Sequence, residues 1–167
     1  MGIREKELER MIKYAEGLGI KVSFMPQLED GTEAQWEMSG KEIKVFTKEK
    51  QTKLSIILSL IHELGHHLDF VYNKRRHTKK VWDAVHAKSP TKKQRRIIYE
   101  DELGGAAYHE IIYNELNLKI PLWRVRVERD LTLELYKKQI DNPEGASNKE
   151  IRDIKRKLIE RYKNKEK

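Results

Sequence analysis

His62, Glu63, Leu64, Gly65 and His66 spell His-Glu-x-x-His. Side chains four apart on a helix point the same way, so both imidazoles can reach one tetrahedral metal ion. Glu63 then stands where a carboxylate can take the proton of a water at that metal, as the general base of a hydrolase. A purely structural zinc site needs no base and leaves no open position. The run Lys53–Ile61 is apolar and free of Gly and Pro, which suits a buried helix carrying the ligands. Gly65 costs a helix interior about 1 kcal/mol relative to Ala. A helix accepts that cost where another backbone or a substrate must come close.

A catalytic zinc takes three protein ligands and keeps one position open. With no cysteine in the chain, the ligands must be His and carboxylate. The metzincin extension of the motif asks for a Gly and a His at positions occupied here by Asp69 and Tyr72, so that subclass is rejected. The other common solution is a carboxylate on a second helix packed across the first. Glu100, Asp101 and Glu102 precede the small residues Gly104, Gly105, Ala106 and Ala107, which allow close helix approach. Glu102, Gly105, Ala106, His109 and Tyr113 share one face at three- and four-residue spacing. Glu102 is therefore the favoured third ligand, with Glu100, Asp101 and Glu110 as alternatives.

His109, two turns beyond Glu102, is a candidate to stabilise an oxyanion or protonate a leaving amine. Tyr72, Tyr108 and Tyr113 are alternatives for that role. Asp69 lies on the face of His62 and His66 and is a candidate to hold the free ring nitrogen of a ligand histidine. His67 reads as structural or exposed, and His77 and His86 as solvent-facing.

The elements that must position these groups follow from periodicity. Leu8, Met11, Ile12 and Ala15 predict a first helix over 5–17, closed by Gly17 and Gly19. Ile20–Pro26 alternates as a strand, and two further alternating runs within Ala34–Phe46, joined at Ser39-Gly40, predict a hairpin. The long helix of the motif covers about 51–73. A short amphipathic helix holds Val81, Trp82 and Val85. A helical pattern then runs from Thr91 to Leu118, and another from Arg124 to Ile140. Ser147 with Glu150 is a capping box that opens a last, basic helix. Trp36, Ile43, Val45 and Phe46 form the inner face of the sheet, and Lys41–Thr47 is the candidate edge for pairing with an extended substrate.

At 167 residues the chain suits one domain with a single core. The expected organisation is a domain over 1–146 with a C-terminal basic helix over 147–167 packed on it or extending from it. The fold class expected is α+β: a small antiparallel sheet of about three strands on a mainly helical, zincin-like body. Charged residues make up 37% and hydrophobic residues 38% of the chain. No apolar stretch approaches the roughly 20 residues of a membrane span. The charged N-terminus lacks a signal-type apolar core, which points to the cytoplasm. The net charge of +8 is concentrated, because residues 71–100 carry ten Lys and Arg against two Asp and Glu. Such a segment can attract nucleic acid or an acidic partner, or serve only as a solvated face.

The order of elements, with His62-Glu-Leu-Gly-His66 followed by Glu102 and small residues, resembles the ImmA/IrrE family of zinc metallopeptidases. The likeness covers about residues 18–118. Gly105 stands where that family typically has Ala, and its Leu-Leu-Met-Pro-like stretch is not recognisable after Tyr108, so the resemblance is to a divergent member. The family occurs in phages, mobile elements and bacterial stress regulators. The resemblance implies a gluzincin-like site in which His62, His66 and Glu102 bind zinc and Glu63 activates water. It also implies a protein substrate, such as a helix-turn-helix repressor.

Overall fold

The computed structural model describes residues 2–26, 32–37, 41–48, 51–74 and 77–165. Within them the chain runs α1 (Ile3–Gly17), β1 (Lys21–Pro26), β2 (Ala34–Trp36), β3 (Glu42–Thr47) and α2 (Lys53–Tyr72). It continues through α3 (Lys79–Val85), α4 (Lys92–Ala106), α5 (His109–Glu115), α6 (Leu122–Asp141) and α7 (Asn148–Lys163). This is the α+β architecture expected, mostly helical with one three-stranded sheet. Among the described residues no helix is long and apolar enough to cross a membrane.

The sheet has the order β1-β3-β2. β2 and β3 pair antiparallel, with Trp36 opposite Ile43, as the hairpin pattern predicts. The turn expected at Ser39-Gly40 lies outside the described residues. The expectation of an antiparallel sheet is corrected at the other pairing, because β1 runs parallel to β3, with Phe24 beside Val45. The cause is which strand takes the middle. β2 is three residues long, whereas β3 buries Ile43, Val45 and Phe46. The more apolar strand becomes central, and β1 must then join its far edge in the same direction. The substrate-facing edge expected at Lys41–Thr47 is corrected with it. That run is the central strand, and the edge beside the motif helix is β2.

α2 is the axis of the fold. Thr52 caps it by accepting from the Ser55 N–H at 3.2 Å. Ile57, Leu60, Ile61, Leu64 and Leu68 make a buried stripe that meets Met11 of α1 and Ile43 and Val45 of β3 in the core. Packing that stripe turns His62 and His66 toward α4 and Glu63 toward β2. α4 opens on a capping box between Thr91 and Gln94. The pattern expected as one helix over 91–118 is instead two, α4 and α5. The end of α4 tightens, with the Tyr108 N–H donating to the Gly105 carbonyl at 3.1 Å, three residues back. Two successive glycines, each a poor helix former by about 1 kcal/mol, favour the break. α7 begins at the Ser147–Glu150 capping box and packs on α6 through Leu158 against Val127 and Leu131.

Candidate metal centre

His62 and His66 project from α2, and Glu102 reaches them from α4. The two Nε2 atoms are 3.3 Å apart. Glu102 Oε2 lies 3.4 Å from His62 Nε2 and 3.5 Å from His66 Nε2. Zinc binds such atoms at about 2.0–2.1 Å, and a tetrahedron of those bonds has edges of about 3.3–3.4 Å. The three atoms therefore form one face of a zinc-sized tetrahedron. Glu102 Oε2 is also buried without a hydrogen-bond partner. A buried, unpartnered carboxylate oxygen costs free energy unless a cation meets it. Donor type, spacing and the orphaned atom all fit zinc.

The glycines explain the close approach. A Cβ built on Gly65 would overlap the Gly105 carbonyl oxygen and stand 3.1 Å from its carbon. A Cβ on Gly105 would stand 2.9 Å from His66 Nδ1. Backbone meets backbone between α2 and α4, which lets a carboxylate as short as Glu reach both imidazoles.

The electrostatics follow from burial and charge. Burial alone lowers the pKa of His66, but Glu102, with Glu63 and Asp101, outweighs it and lifts that imidazole to about 10. Burial alone raises Glu102, yet His66, His62 and a hydrogen bond from Tyr136 hold it below its ordinary value. The site is thus rich in negative charge and short of positive. Burial drives His109 well below its usual value, with His62, His66 and Arg129 adding to the effect, so it is neutral. Its ring stands 5.6 Å from that of His62, and its Nε2 is buried without a partner.

Glu63 is buried, and its Oε2 accepts from the Trp36 backbone N–H at 2.6 Å. That bond ties the candidate base to the edge strand. Strand alternation turns Glu33 and Glu37 toward β3, where they bond Phe46 and Glu42. The backbones of Ala34 and Trp36 consequently face the other way, into a cleft of about 970 Å³. It is lined by Ser59, His62 and Glu63 of α2, Trp82 and Val85 of α3, and Arg124 and Tyr136 of α6.

The alternatives for the third ligand lie elsewhere. Glu100 is exposed, and Glu110 is held by Arg126 at 2.9 Å and Arg129 at 2.8 Å. Asp101 Oδ2 stands 3.6 Å from His66 Nδ1, on the far side of that ring. This corrects the role expected for Asp69. Asp69 lies on the motif face, but about 4.5 Å further along the axis than His66. It accepts instead from His77 at 3.1 Å and Asn73 at 2.8 Å. The free nitrogen of His66 points to α4, where Asp101 stands.

His77 is corrected too: its side chain is 1% exposed rather than solvent-facing. His86 is exposed, stacked on Trp82 at 4.0 Å. His67 is buried, edge-on to Trp36 at 6.2 Å. The tyrosines offered beside His109 have other duties. Tyr113 donates to the Ile120 carbonyl, and Tyr108 accepts from Asn73 and stacks on Tyr72. The residue that sequence reasoning missed is Tyr136 of α6, whose hydroxyl bonds Glu102. The charge of Glu102 and burial push that hydroxyl upward, so it stays a donor. Nothing in its spacing links a tyrosine on a polar helix to a motif that ends 70 residues earlier.

Part of the basic excess of 71–100 is consumed structurally. Lys79 pairs with Asp83, Lys92 with Asp141, and Arg95 donates to the Pro90 and Ile140 carbonyls. Lys80, Lys88, Lys93 and Arg96 are exposed, and Arg75 and Arg76 lie outside the described residues. Compared with known proteins, the chain matches no family model, no curated protein and no solved structure.

Proposed function

We propose that this chain is a zinc-dependent metalloendopeptidase, a divergent relative of the ImmA/IrrE family. The observation that carries the reading is the 3.3–3.5 Å triangle of His62, His66 and Glu102, with a carboxylate beside it on the same helix. His62, His66 and Glu102 would hold the zinc. When bound, zinc lowers the pKa of water to about 7 and polarises a carbonyl.

The chain's own residues supply the rest. An extended segment of a protein substrate pairs with the cleft-facing N–H and carbonyl of Ala34 and with the carbonyl of Trp36, as strands commonly add to a sheet edge. Glu63 takes the proton of the attacking water and returns it to the leaving nitrogen. The Trp36 N–H keeps that carboxylate aimed into the cleft. The Tyr136 hydroxyl, which lines the cleft beside Glu102, would turn its single proton from that carboxylate to the oxygen that gains charge as the carbonyl is attacked. His109, neutral and packed on His62, supports the ligand rather than donating a proton. A repressor-like regulator as the physiological substrate follows from the family resemblance alone.

The test is cleavage of casein and of a fluorogenic peptide library by the zinc-loaded chain, beside Glu63→Gln. Loss of a general base typically costs 10²–10⁴-fold. Cleavage by wild type that falls by about that factor in a Glu63→Gln variant still holding zinc supports the reading. Equal cleavage by the two would refute it. The nucleic-acid alternative draws on the exposed part of the 71–100 segment. It predicts duplex DNA binding that weakens steeply with salt, without zinc dependence.

A further inference from the structure

The arrangement behind the metal centre is a chain of four side chains. His66 presents Nε2 to His62 and Glu102, and its Nδ1 faces Asp101 Oδ2 at 3.6 Å. The other oxygen of Asp101 faces His77 Nδ1 at 3.7 Å. His77 Nε2 then contacts Asp69 Oδ2 at 3.1 Å. The side chains of His77 and Asp69 are each 1% exposed, and that of Asp101 is 13% exposed. His77 Nδ1 and Asp101 Oδ1 are both buried without a hydrogen-bond partner, and each faces the other as an ion-pair contact. Two carboxylates thus flank one buried imidazole, Asp69 at its Nε2 and Asp101 at its Nδ1.

The His77 ring has little freedom to turn. Trp36 packs edge-on against it at 6.2 Å and Phe70 at 5.3 Å. Trp36 is also the residue whose backbone N–H holds Glu63. The ring is therefore fixed from the sheet side, with one nitrogen toward each carboxylate. Histidines that bind metal almost always give their second nitrogen to a carboxylate, a backbone carbonyl or a water, and that partner sets the tautomer and the ring orientation. Asp101 meets this requirement for His66 only if it is itself held in place.

We propose that His77 is a positioning residue for the metal centre: anchored on Asp69, it holds Asp101 against the second nitrogen of His66 and so keeps His66 Nε2 presented to the metal. The inference rests on the zinc reading above and extends it to the segment between α2 and α3. The trio Asp69, His77 and Asp101 also has the composition of a cation site of its own. The 3.1 Å contact between His77 Nε2 and Asp69 favours a direct N–H donation there instead.

The experiment is zinc affinity by competition with a chromophoric chelator, together with zinc stoichiometry by elemental analysis. The variants are His77→Gln, Asp101→Ala and the double. Gln fills much of the same space and keeps a donor for Asp69, so the variant is expected to fold, which circular dichroism and a zinc-free melt check. Loss of such an outer partner typically weakens metal binding by roughly tenfold to a hundredfold. Each single variant should show that loss, and the double should lose no more than the worse single, because the two act through one contact. The Co²⁺-loaded His77→Gln variant should also show shifted d–d bands, a change that a merely structural role would not produce. A folded His77→Gln that binds zinc within twofold of wild type overturns the proposal, and so do losses that multiply in the double. Two zinc ions per wild-type chain, falling to one in His77→Gln, overturn it in favour of a second metal site. A wild type that takes up no zinc defeats the proposed function first, and this inference with it. One tight zinc in wild type and in every variant defeats this inference alone.

Discussion

Replacing Gly65 by Ala tests whether the α2–α4 contact makes the metal centre. On an ordinary helix the change would help by about 1 kcal/mol, through propensity. Here the new methyl would overlap the Gly105 carbonyl oxygen and sit 3.1 Å from its carbon. Carbon contacts settle at about 3.5–4.0 Å, so the two helices must part by roughly 0.5–1 Å. The obstacle is backbone, which cannot rotate away. Overpacking of this kind costs about 1–3 kcal/mol, leaving a net loss of up to about 2 kcal/mol after the propensity gain. The effect on the site should be larger than the effect on the fold. His62 and His66 belong to α2 and Glu102 to α4, so the 3.4 and 3.5 Å edges lengthen toward about 4 Å, beyond the roughly 3.3 Å a zinc tetrahedron needs. The assay is a chelator competition for zinc affinity with a thermal melt of the zinc-free protein. Gly17→Ala serves as control, since a Cβ there meets nothing within 4 Å. Gly65→Ala should lose at least tenfold in zinc affinity, with a melt equal to wild type or lower. A raised melting midpoint with unchanged zinc affinity would show that the glycine is incidental to the metal centre.

Tyr136→Phe should retain zinc and lose about 10²–10³-fold in turnover, the usual loss for one oxyanion donor, as read from peptide cleavage. A variant with full turnover would remove the tyrosine from the mechanism. Chelation should lower the melting midpoint of the zinc-loaded protein, since a ligand at a hundred times its Kd stabilises by about 2.7 kcal/mol. A midpoint indifferent to chelator would show that no folded-state metal is bound. Glu150 gives a pH signature away from the site. Its carboxylate accepts from the Ser147 backbone and pairs with Lys138, which holds its pKa at about 2 against an ordinary 4.5. A depressed pKa stabilises the fold above the unfolded value and loses that contribution as pH falls through the folded one. The advantage of wild type over Glu150→Gln should therefore be full above pH 4.5 and vanish toward about 2, as read by hydrogen exchange of α7 amides. An advantage constant over that range would contradict it.

What was legible in the sequence is what is local. The apolar stripe of α2, the caps at Thr91 and Ser147 and the glycine-broken end of α1 are each carried by residues within a turn or two of one another. The motif gives His62, Glu63 and His66 on one helix. The small residues after Glu102 signal close packing, which the contact of Gly65 with Gly105 realises. What was not legible depends on which elements become neighbours. The parallel pairing of β1 with β3 is decided by β3 taking the centre, a competition among strands that alternation within each cannot express. Asp69 shares a face with the ligand histidines, yet the partner of His66 is Asp101, because α4 lies on that side. His77 sits in a basic run that reads as surface, and it is buried because Asp69, Phe70 and Trp36 enclose it. Tyr136 reaches Glu102 only because α6 crosses α4.

Zinc content, measured by elemental analysis on purified wild type, His66→Ala, Glu102→Gln and Glu63→Gln, decides whether these side chains form a metal centre. One zinc per chain is expected in wild type, with loss of it in His66→Ala and Glu102→Gln and retention in Glu63→Gln. A wild type that holds no zinc even after refolding with the metal, or a Glu102→Gln that holds it as tightly as wild type, would overturn the zinc assignment.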